Sequence, residues 1–187
     1  VDIFFVISGY VITSSLSNRK YVNFWDFIIG FYTRRIKRII PALFIFFITL
    51  TLLISFLNPE PVSSLKTGFY SIFGVSNLYL FRNANDYFSQ SNVLNPFIHT
   101  WSLGVEEQFY VFYPIFFWFS GLAKQKNKRK NFFIFIISFL LIVSLIGFIF
   151  FYEQKTTAVY YLMPFRFWEI ALGCVAYFLN SNNRLIN

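Results

Sequence analysis

Cysteine, histidine and acidic residues are scarce in this sequence. It has one cysteine, one histidine and 8 Asp plus Glu residues in 187 positions. The single cysteine, Cys174, excludes a disulfide within the chain and a cysteine-based metal site. Neither a second histidine nor a further acidic residue lies at the spacing of metal ligands around His99, Glu106 and Glu107, so we expect no bound metal ion. Charged residues make up only 13% of the chain, which is too few for a soluble domain.

Long apolar runs are abundant instead. Hydrophobic residues make up 57% of the chain and aromatic residues 24%, and the mean hydropathy is +0.57. About 20 apolar residues cross a bilayer as a helix. Four runs approach or reach this length, at residues 39–57, 101–123, 132–152 and 159–179, and residues 1–16 resemble a truncated span. We therefore predict an all-α, polytopic membrane protein with about five spans.

The net charge of +8 comes mainly from two basic clusters between apolar runs. The first cluster contains Arg34, Arg35, Lys37 and Arg38, and the second occupies residues 124–130. The positive-inside rule places both on the cytoplasmic side, which explains them more simply than a nucleic-acid partner. The chain must then cross the membrane twice between them. We therefore predict that residues 58–98 form an outer loop that dips back into the membrane, its irregular backbone buried in protein or lining a wet cavity.

The segment 99–110 concentrates the residues best suited to chemistry. On a helix, Ser102, Glu106 and Tyr110 share one side, whereas Glu107 points away from it. Carboxylates in a membrane segment are costly unless they are paired, hydrated or functional. The sole histidine, His99, is a candidate general base beside them. The alternative is a helix start with Ser or Thr caps and first-turn acids, in which His99 bonds the loop backbone.

Two other groups of charges have both a structural and a functional interpretation. Arg34, Arg35 and Arg38 suit a polyphosphate or nucleotide clamp, because guanidinium groups bind phosphate through paired hydrogen bonds. The alternative is an interfacial amphipathic segment. Arg166 and Glu169 are three residues apart and are neighbours on a helix. They form either a self-neutralised pair or a polar lining to a substrate path.

Four segments, in order, resemble the acyltransferase-3 family of integral membrane acyltransferases, which O-acetylate bacterial surface carbohydrates. Residues 1–12 are similar to V-D-x-F-F-x-x-S-G-F, and residues 31–41 to F-x-x-R-R-x-x-R-x-x-P. Residues 99–110 follow H-T-W-S-L-x-V-E-E-Q-F-Y almost position for position, and residues 166–173 resemble R-x-W-E-x-x-x-G. The resemblance covers essentially the whole chain, although not the whole family domain.

The resemblance implies a roughly ten-helix domain in the bacterial cytoplasmic (inner) membrane. The chain is then expected to be a fragment that lacks the first helix and the last helices and is inactive alone. The implied donor is acyl-CoA, approached from the cytoplasm, with its phosphates held by Arg35 and Arg38, beside Arg34. Acyl-CoA is a substrate, and no bound cofactor is expected.

The implied acceptor is a hydroxyl of a cell-surface carbohydrate such as lipopolysaccharide O-antigen, exopolysaccharide or peptidoglycan. The expected acceptor or pore lining is Ser8, Ser102, Tyr110, Arg166 and Glu169. The family's proposed catalytic histidine lies upstream of Val1, so within this chain Glu106 is the principal catalytic candidate and His99 a secondary one. The partners expected are therefore the lipid bilayer, acyl-CoA and a carbohydrate.

A membrane transporter or flippase for a polysaccharide or lipid-linked precursor is the competing hypothesis. Glu106, Arg166 and Glu169 would then line the permeation path. The absence of an internal repeat and the four matching segments argue against it. A purely structural membrane subunit would leave the polar residues of the spans without a purpose.

Overall fold

The computed structural model describes residues 1–19, 21–57, 61–83, 95–124 and 129–183, and within these ranges the regular structure is helical, without strands. Parts of the predicted outer loop (58–60 and 84–94) and most of the second basic cluster (125–128) lie outside the described residues. The helices are α1 (Asp2–Ser17), α2 (Phe24–Leu57), α3 (Val62–Ile72), α4 (Ser76–Arg82), α5 (Trp101–Phe119), α6 (Lys130–Phe151), α7 (Thr156–Tyr161) and α8 (Met163–Asn183).

The helices confirm the all-α membrane class. Three described segments are long and apolar enough to cross a bilayer: α2, α6 and the stretch Thr156–Ser181. Helix α1 is apolar but shorter. The expected span at 101–123 corresponds to α5, which ends at Phe119 and is followed by a single 3-10 turn at Leu122–Lys124. The chain is a multi-pass membrane protein.

Helix α2 is longer than the sequence suggested. The predicted span covered residues 39–57, but one helix of 34 residues begins at Phe24 and includes the first basic cluster. Asn23 begins it, because its side-chain oxygen accepts a hydrogen bond from the backbone N–H of Asp26 at 2.7 Å. The polar residues near 23–26 are therefore a helix cap, and the first basic cluster lies on the spanning helix itself.

The last predicted span, 159–179, is two helices rather than one. Leu162 has an extended conformation between α7 and α8. Pro164 explains the break, since a proline cannot donate a hydrogen bond to the carbonyl four residues earlier, that of Tyr160. The Tyr160 carbonyl accepts instead from Nε of Arg166 at 3.4 Å, and the Tyr161 carbonyl accepts from the Asn77 amide at 3.0 Å.

Helices α1 and α8 pack in parallel at very short range. A Cβ atom added at Gly9 would lie 1.9 Å from the carbonyl oxygen of Ile170, and one at Gly173 would lie 1.9 Å from that of Val6. Only glycine permits this approach. Small residues at a contact between membrane helices allow such close packing.

Helix α5 crosses the middle of the molecule antiparallel to α2. Near the start of α2, the ring of Phe24 lies 5.6 Å from that of Trp118 at the end of α5. Further along α2, Phe46 lies 5.8 Å from Phe97, just before α5 begins. Helices α3 and α4 pack against the beginning of α5, where the Ser76 hydroxyl donates to the Thr100 carbonyl at 2.9 Å. The short helices of the predicted outer loop are thus partly buried against protein.

Candidate active site

Side chains from three helices meet near the middle of α5. The Tyr110 hydroxyl donates to Oε2 of Glu106, one helical turn earlier, at 3.1 Å. The Arg35 guanidinium of α2 lies over the Tyr110 ring, 4.4 Å from its centroid. Ser8 of α1 is close enough to interact with both Glu106 and Tyr110. Three segments that are far apart in the sequence are therefore adjacent in the fold.

Glu106 is a buried carboxylate with one oxygen free. Only 3% of the residue is exposed, and Oε1 accepts no hydrogen bond of ordinary geometry from the described residues. Ser8 lies near the carboxylate group. Buried polar atoms are usually satisfied, because leaving one unpaired costs free energy. An unpaired carboxylate oxygen that is already desolvated is suited to accept a proton or a hydroxyl hydrogen bond from a substrate.

The basic residues of the first cluster, on α2, do not all point to the same place. Arg35 is partly buried against the rings of Phe31 and Tyr110, and its charge and that of Arg38 act on Glu106. Arg34 donates instead to the Tyr21 hydroxyl at 3.0 Å. Lys37 is exposed. Of the three predicted donor-binding arginines, the structure brings Arg35 and Arg38 toward Glu106 and leaves Arg34 bonded elsewhere.

A second buried charge cluster lies near the beginning of α5. Arg166 pairs with Glu169 at 2.7 Å and with Asp2 at 3.4 Å, so the neighbour pair expected from the sequence is present. The rings of Trp101, Phe148 and Tyr160 surround the guanidinium at 5.3 to 5.8 Å. Glu169 is fully buried, and its Oε2 accepts no hydrogen bond within the described part of the chain.

The hydroxyl groups of Thr100 and Ser102 bond to the backbone and not to Glu106, although Ser102 lies one helical turn before Glu106 on the same side of α5. His99 is exposed, and its backbone carbonyl accepts a hydrogen bond from the Ser102 hydroxyl at 3.2 Å. The Thr100 hydroxyl likewise donates backwards, to the Phe97 carbonyl at 2.7 Å. Neither hydroxyl caps α5, which has no side-chain cap. The alternative interpretation is therefore correct that a helix starts here, with Thr100 at the N-cap position, but wrong that a Ser or Thr side chain caps it and that acids lie in its first turn.

Glu107 occupies a different face of α5 from Glu106, as the helical periodicity predicted. Its carboxylate covers Gly74, where an added Cβ atom would meet Oε2 at 1.8 Å. On the same side, Gln108 donates to the Asn77 side-chain oxygen at 2.9 Å. This face of α5 attaches the helix to α4 and does not contribute to the Glu106 cluster.

Three contributors were missed at the sequence level: Asp2, Tyr32 and Asn77. Asp2 joins Arg166 from a position 164 residues away in the chain, and no local pattern predicts this contact. Asn77 donates to the Tyr161 carbonyl across a separation of 84 residues. For Tyr32 a signal existed. Pro114 within α5 leaves the Tyr110 carbonyl without its helical donor, so a donor from another helix was required.

Within the described residues, no group of three or more His, Cys, Asp or Glu side chains is arranged to hold a metal ion. The Glu106 cluster instead combines a cation, a buried carboxylate and two hydroxyl groups. Such a set can bind an anion through Arg35 and can accept a proton or orient a hydroxyl through Glu106.

Comparisons with known proteins identify the family of the chain. The profile of the acyltransferase-3 family, described as an acyltransferase domain, matches residues 1–185. This chain belongs to that family. No solved structure matches it.

Individual relatives carry acetyltransferase names. The chain is 38% identical to the O-acetyltransferase OatA of Staphylococcus aureus over 186 residues, which is 96% of this chain and 29% of that protein. It is 32% identical to the peptidoglycan O-acetyltransferase OatA of Listeria monocytogenes, over 99% of this chain and 30% of that protein. An uncharacterized protein of Haemophilus influenzae is 35% identical, with 99% of this chain and 77% of that protein covered. The chain thus spans less than a third of the length of either OatA relative.

Proposed function

We propose that this chain is part of a membrane acyltransferase that moves an acyl group, in the first instance acetyl, from acyl-CoA to a hydroxyl of a cell-surface carbohydrate. The observation that supports this most directly is the contact between Arg35 and Tyr110, whose hydroxyl bonds Glu106. It brings an anion-binding cation and a buried carboxylate to one place between α2 and α5.

The donor side of the proposal rests on charge. Acyl-CoA carries several phosphate groups, and guanidinium groups bind phosphate in paired, charge-assisted hydrogen bonds. Arg35 lies eleven residues after the start of α2, about 16 Å along the helix axis. The positive-inside rule assigns that start to the cytoplasm, where acyl-CoA is made. Arg35 and Arg38 would therefore draw the donor inward from the cytoplasmic end.

The acceptor side rests on the carboxylate. In the reaction, the acceptor hydroxyl oxygen attacks the thioester carbonyl, a carbon–oxygen bond forms and the carbon–sulfur bond breaks. The hydroxyl proton passes to a base, and the CoA thiolate leaves and takes up a proton. Oε1 of Glu106 is free to orient the hydroxyl or the histidine that the family resemblance places upstream of Val1.

The acceptor class comes from the relatives. The names of the two OatA relatives specify O-acetyl transfer, and one of the two specifies peptidoglycan. We extend this to a hydroxylated glycan of the cell envelope, reached from a protein of the bacterial inner membrane. Ser8 and Tyr110 border the Glu106 carboxylate and would line the acceptor path there, and Arg166 and Glu169 would line it nearer the beginning of α5.

The test uses the full-length parent protein in membranes, supplied with radiolabelled acetyl-CoA. Label is followed into lipid-linked and polymeric carbohydrate for the wild type, for Glu106→Gln and for the matched control Glu153→Gln, which changes an exposed acid outside the cluster. We expect about a hundredfold less label with Glu106→Gln, as for loss of a proton-transfer group. The control should equal the wild type.

Two results would contradict the proposal. Label that enters carbohydrate equally in wild type and Glu106→Gln would remove Glu106 from the site. No label in any carbohydrate fraction, with the protein folded in the membrane, would reject acetyl transfer from acetyl-CoA and favour the transporter hypothesis.

A further inference from the structure

Pro114 removes one backbone hydrogen bond from α5 at the candidate site. A proline has no N–H, so the carbonyl four residues earlier loses its usual helical donor. In α5 that carbonyl belongs to Tyr110, the residue whose side chain contacts both Arg35 and Glu106. In a membrane segment an unsatisfied carbonyl is costly and must find a partner within the protein.

Tyr32 of α2 donates the missing hydrogen bond to the Tyr110 carbonyl. Its hydroxyl lies 3.2 Å from the Tyr110 carbonyl oxygen and 3.2 Å from that of Val111, and its single proton is shared between the two. Tyr32 precedes Arg35 by three residues, so the two side chains lie on the same face of α2. The bond to the backbone of α5 is therefore one helical turn from the contact between Arg35 and the Tyr110 ring.

We propose that Tyr32 is a positioning residue that sets the register of α2 against α5 and thereby holds Arg35 at the Tyr110 ring. This inference rests on the proposed function, because it gives Arg35 the task of binding the donor. Packing between apolar surfaces is not directional, so it defines the register of two helices less sharply than a hydrogen bond between defined atoms does. A hydroxyl bonded to a defined carbonyl restricts both motions. Pro114 supplies the acceptor that makes such a bond possible.

The first measurement is the affinity of the full-length parent, purified in detergent, for CoA, together with its thermal unfolding temperature. Tyr32→Phe keeps the ring and removes the hydroxyl. We expect CoA affinity to fall about three- to tenfold, because Arg35 is no longer held in place, and the unfolding temperature to fall because the Tyr110 carbonyl loses its donor.

The variant Pro114→Ala distinguishes two possible roles of Tyr32: positioning Arg35, or only donating a hydrogen bond to the Tyr110 carbonyl. Pro114→Ala returns a backbone N–H to α5, so the Tyr110 carbonyl regains a helical partner. In the double variant Tyr32→Phe with Pro114→Ala, we expect the unfolding temperature to recover while CoA affinity stays reduced, because the link between the helices is still missing. If CoA affinity recovered together with the unfolding temperature, Tyr32 would have only a structural role and the proposal would be wrong.

Two controls complete the test. Tyr177→Phe removes a different inter-helix hydroxyl bond, 3.2 Å from Asn18, and should leave CoA affinity unchanged. Arg35→Ala separates the two proposals. If Arg35→Ala weakens CoA binding and Tyr32→Phe does not, the positioning role alone fails. If Arg35→Ala binds CoA like the wild type, the donor assignment of the proposed function fails, and the role of Tyr32 fails with it.

Discussion

The buried carboxylates Glu106 and Glu169 are held in different ways. Glu169 is paired with Arg166 on its own helix at 2.7 Å, a charge-assisted contact that neutralises it. Glu106 has a tyrosine hydroxyl at 3.1 Å, and its nearest cations do not form an ion pair with it. A neutralised ion pair such as Arg166–Glu169 is the arrangement expected of a structural carboxylate, whereas a carboxylate without an ion pair remains available to a substrate. This difference is the reason that we assign Glu106 to chemistry and give Glu169 a structural role in addition to lining the path.

The Arg166 cluster allows a prediction about stability. Glu169→Gln removes the negative charge closest to the buried guanidinium and should lower the free energy of unfolding by about 3–5 kcal/mol. Asp2→Asn removes the second partner, whose side chain is 69% exposed at 3.4 Å, and should cost about 0–1 kcal/mol. Denaturant unfolding of the full-length parent in detergent measures both. Equal losses in the two variants would show that Glu169 is not the principal partner of Arg166.

Two prolines and two glycines determine how the elements meet. Pro114 and Pro164 each free a carbonyl, and each carbonyl accepts a hydrogen bond from a residue of the polar clusters, Tyr32 or Arg166. Gly9 and Gly173 allow α1 and α8 to touch backbone to backbone. Because α1 carries Ser8, this close packing holds the segment around Ser8 against α8.

Helix packing gives a second prediction about stability. Gly173→Ala would place a Cβ atom 1.9 Å from the Val6 carbonyl oxygen and 2.7 Å from the Tyr10 nitrogen, and backbone atoms cannot move away cheaply. We expect a loss of about 1–3 kcal/mol in the free energy of unfolding. The matched control is Gly147→Ala, whose Cβ would meet Phe165 at an ordinary 3.5 Å and which should gain about 0.5–1 kcal/mol from helix propensity. A neutral or stabilising Gly173→Ala would contradict the observed α1–α8 packing.

Local pattern explains which of these features were predictable. The i,i+3 pairing of Arg166 with Glu169 and the separation of Glu106 from Glu107 follow from helical periodicity. The capping of α2 by Asn23 and the break at Leu162 were missed, because the spans were predicted from the length of the apolar runs alone. The sequence contained both signals, Asn three residues before Asp26 and Pro164, but hydropathy outweighed them.

At the scale of the whole molecule, the site is assembled from α1, α2 and α5, whose contributing residues span Ser8 to Tyr110. The family resemblance identified each segment as functional, yet the contact between Arg35 and Tyr110 could not be derived from periodicity, which acts within one helix. Contacts such as Asp2 with Arg166 depend on how parallel and antiparallel helices are placed, and this placement is set by packing over the whole chain.

The antiparallel packing of α2 and α5 also places the site between two distinct ends of the molecule. The start of α2 and the end of α5 meet at one end of the molecule, where the Phe24 and Trp118 rings are in contact, and the Arg166 cluster lies near the beginning of α5, at Trp101. Arg35 and Glu106 lie between these ends. A donor that enters from the end formed by the start of α2 and an acceptor that enters from the opposite end would therefore meet at Glu106, as the proposed function requires.

The measurement that tests the central claim most directly is the donor dependence of acetyl transfer in the full-length parent. Arg35→Ala and Arg38→Ala are compared with Lys37→Ala, which removes an exposed charge from the same cluster. Loss of a charge-assisted phosphate contact should raise the donor KM about tenfold or more in the first two variants. The acceptor KM should not change, and Lys37→Ala should stay within about twofold of the wild type. An unchanged donor KM in both arginine variants would contradict the account.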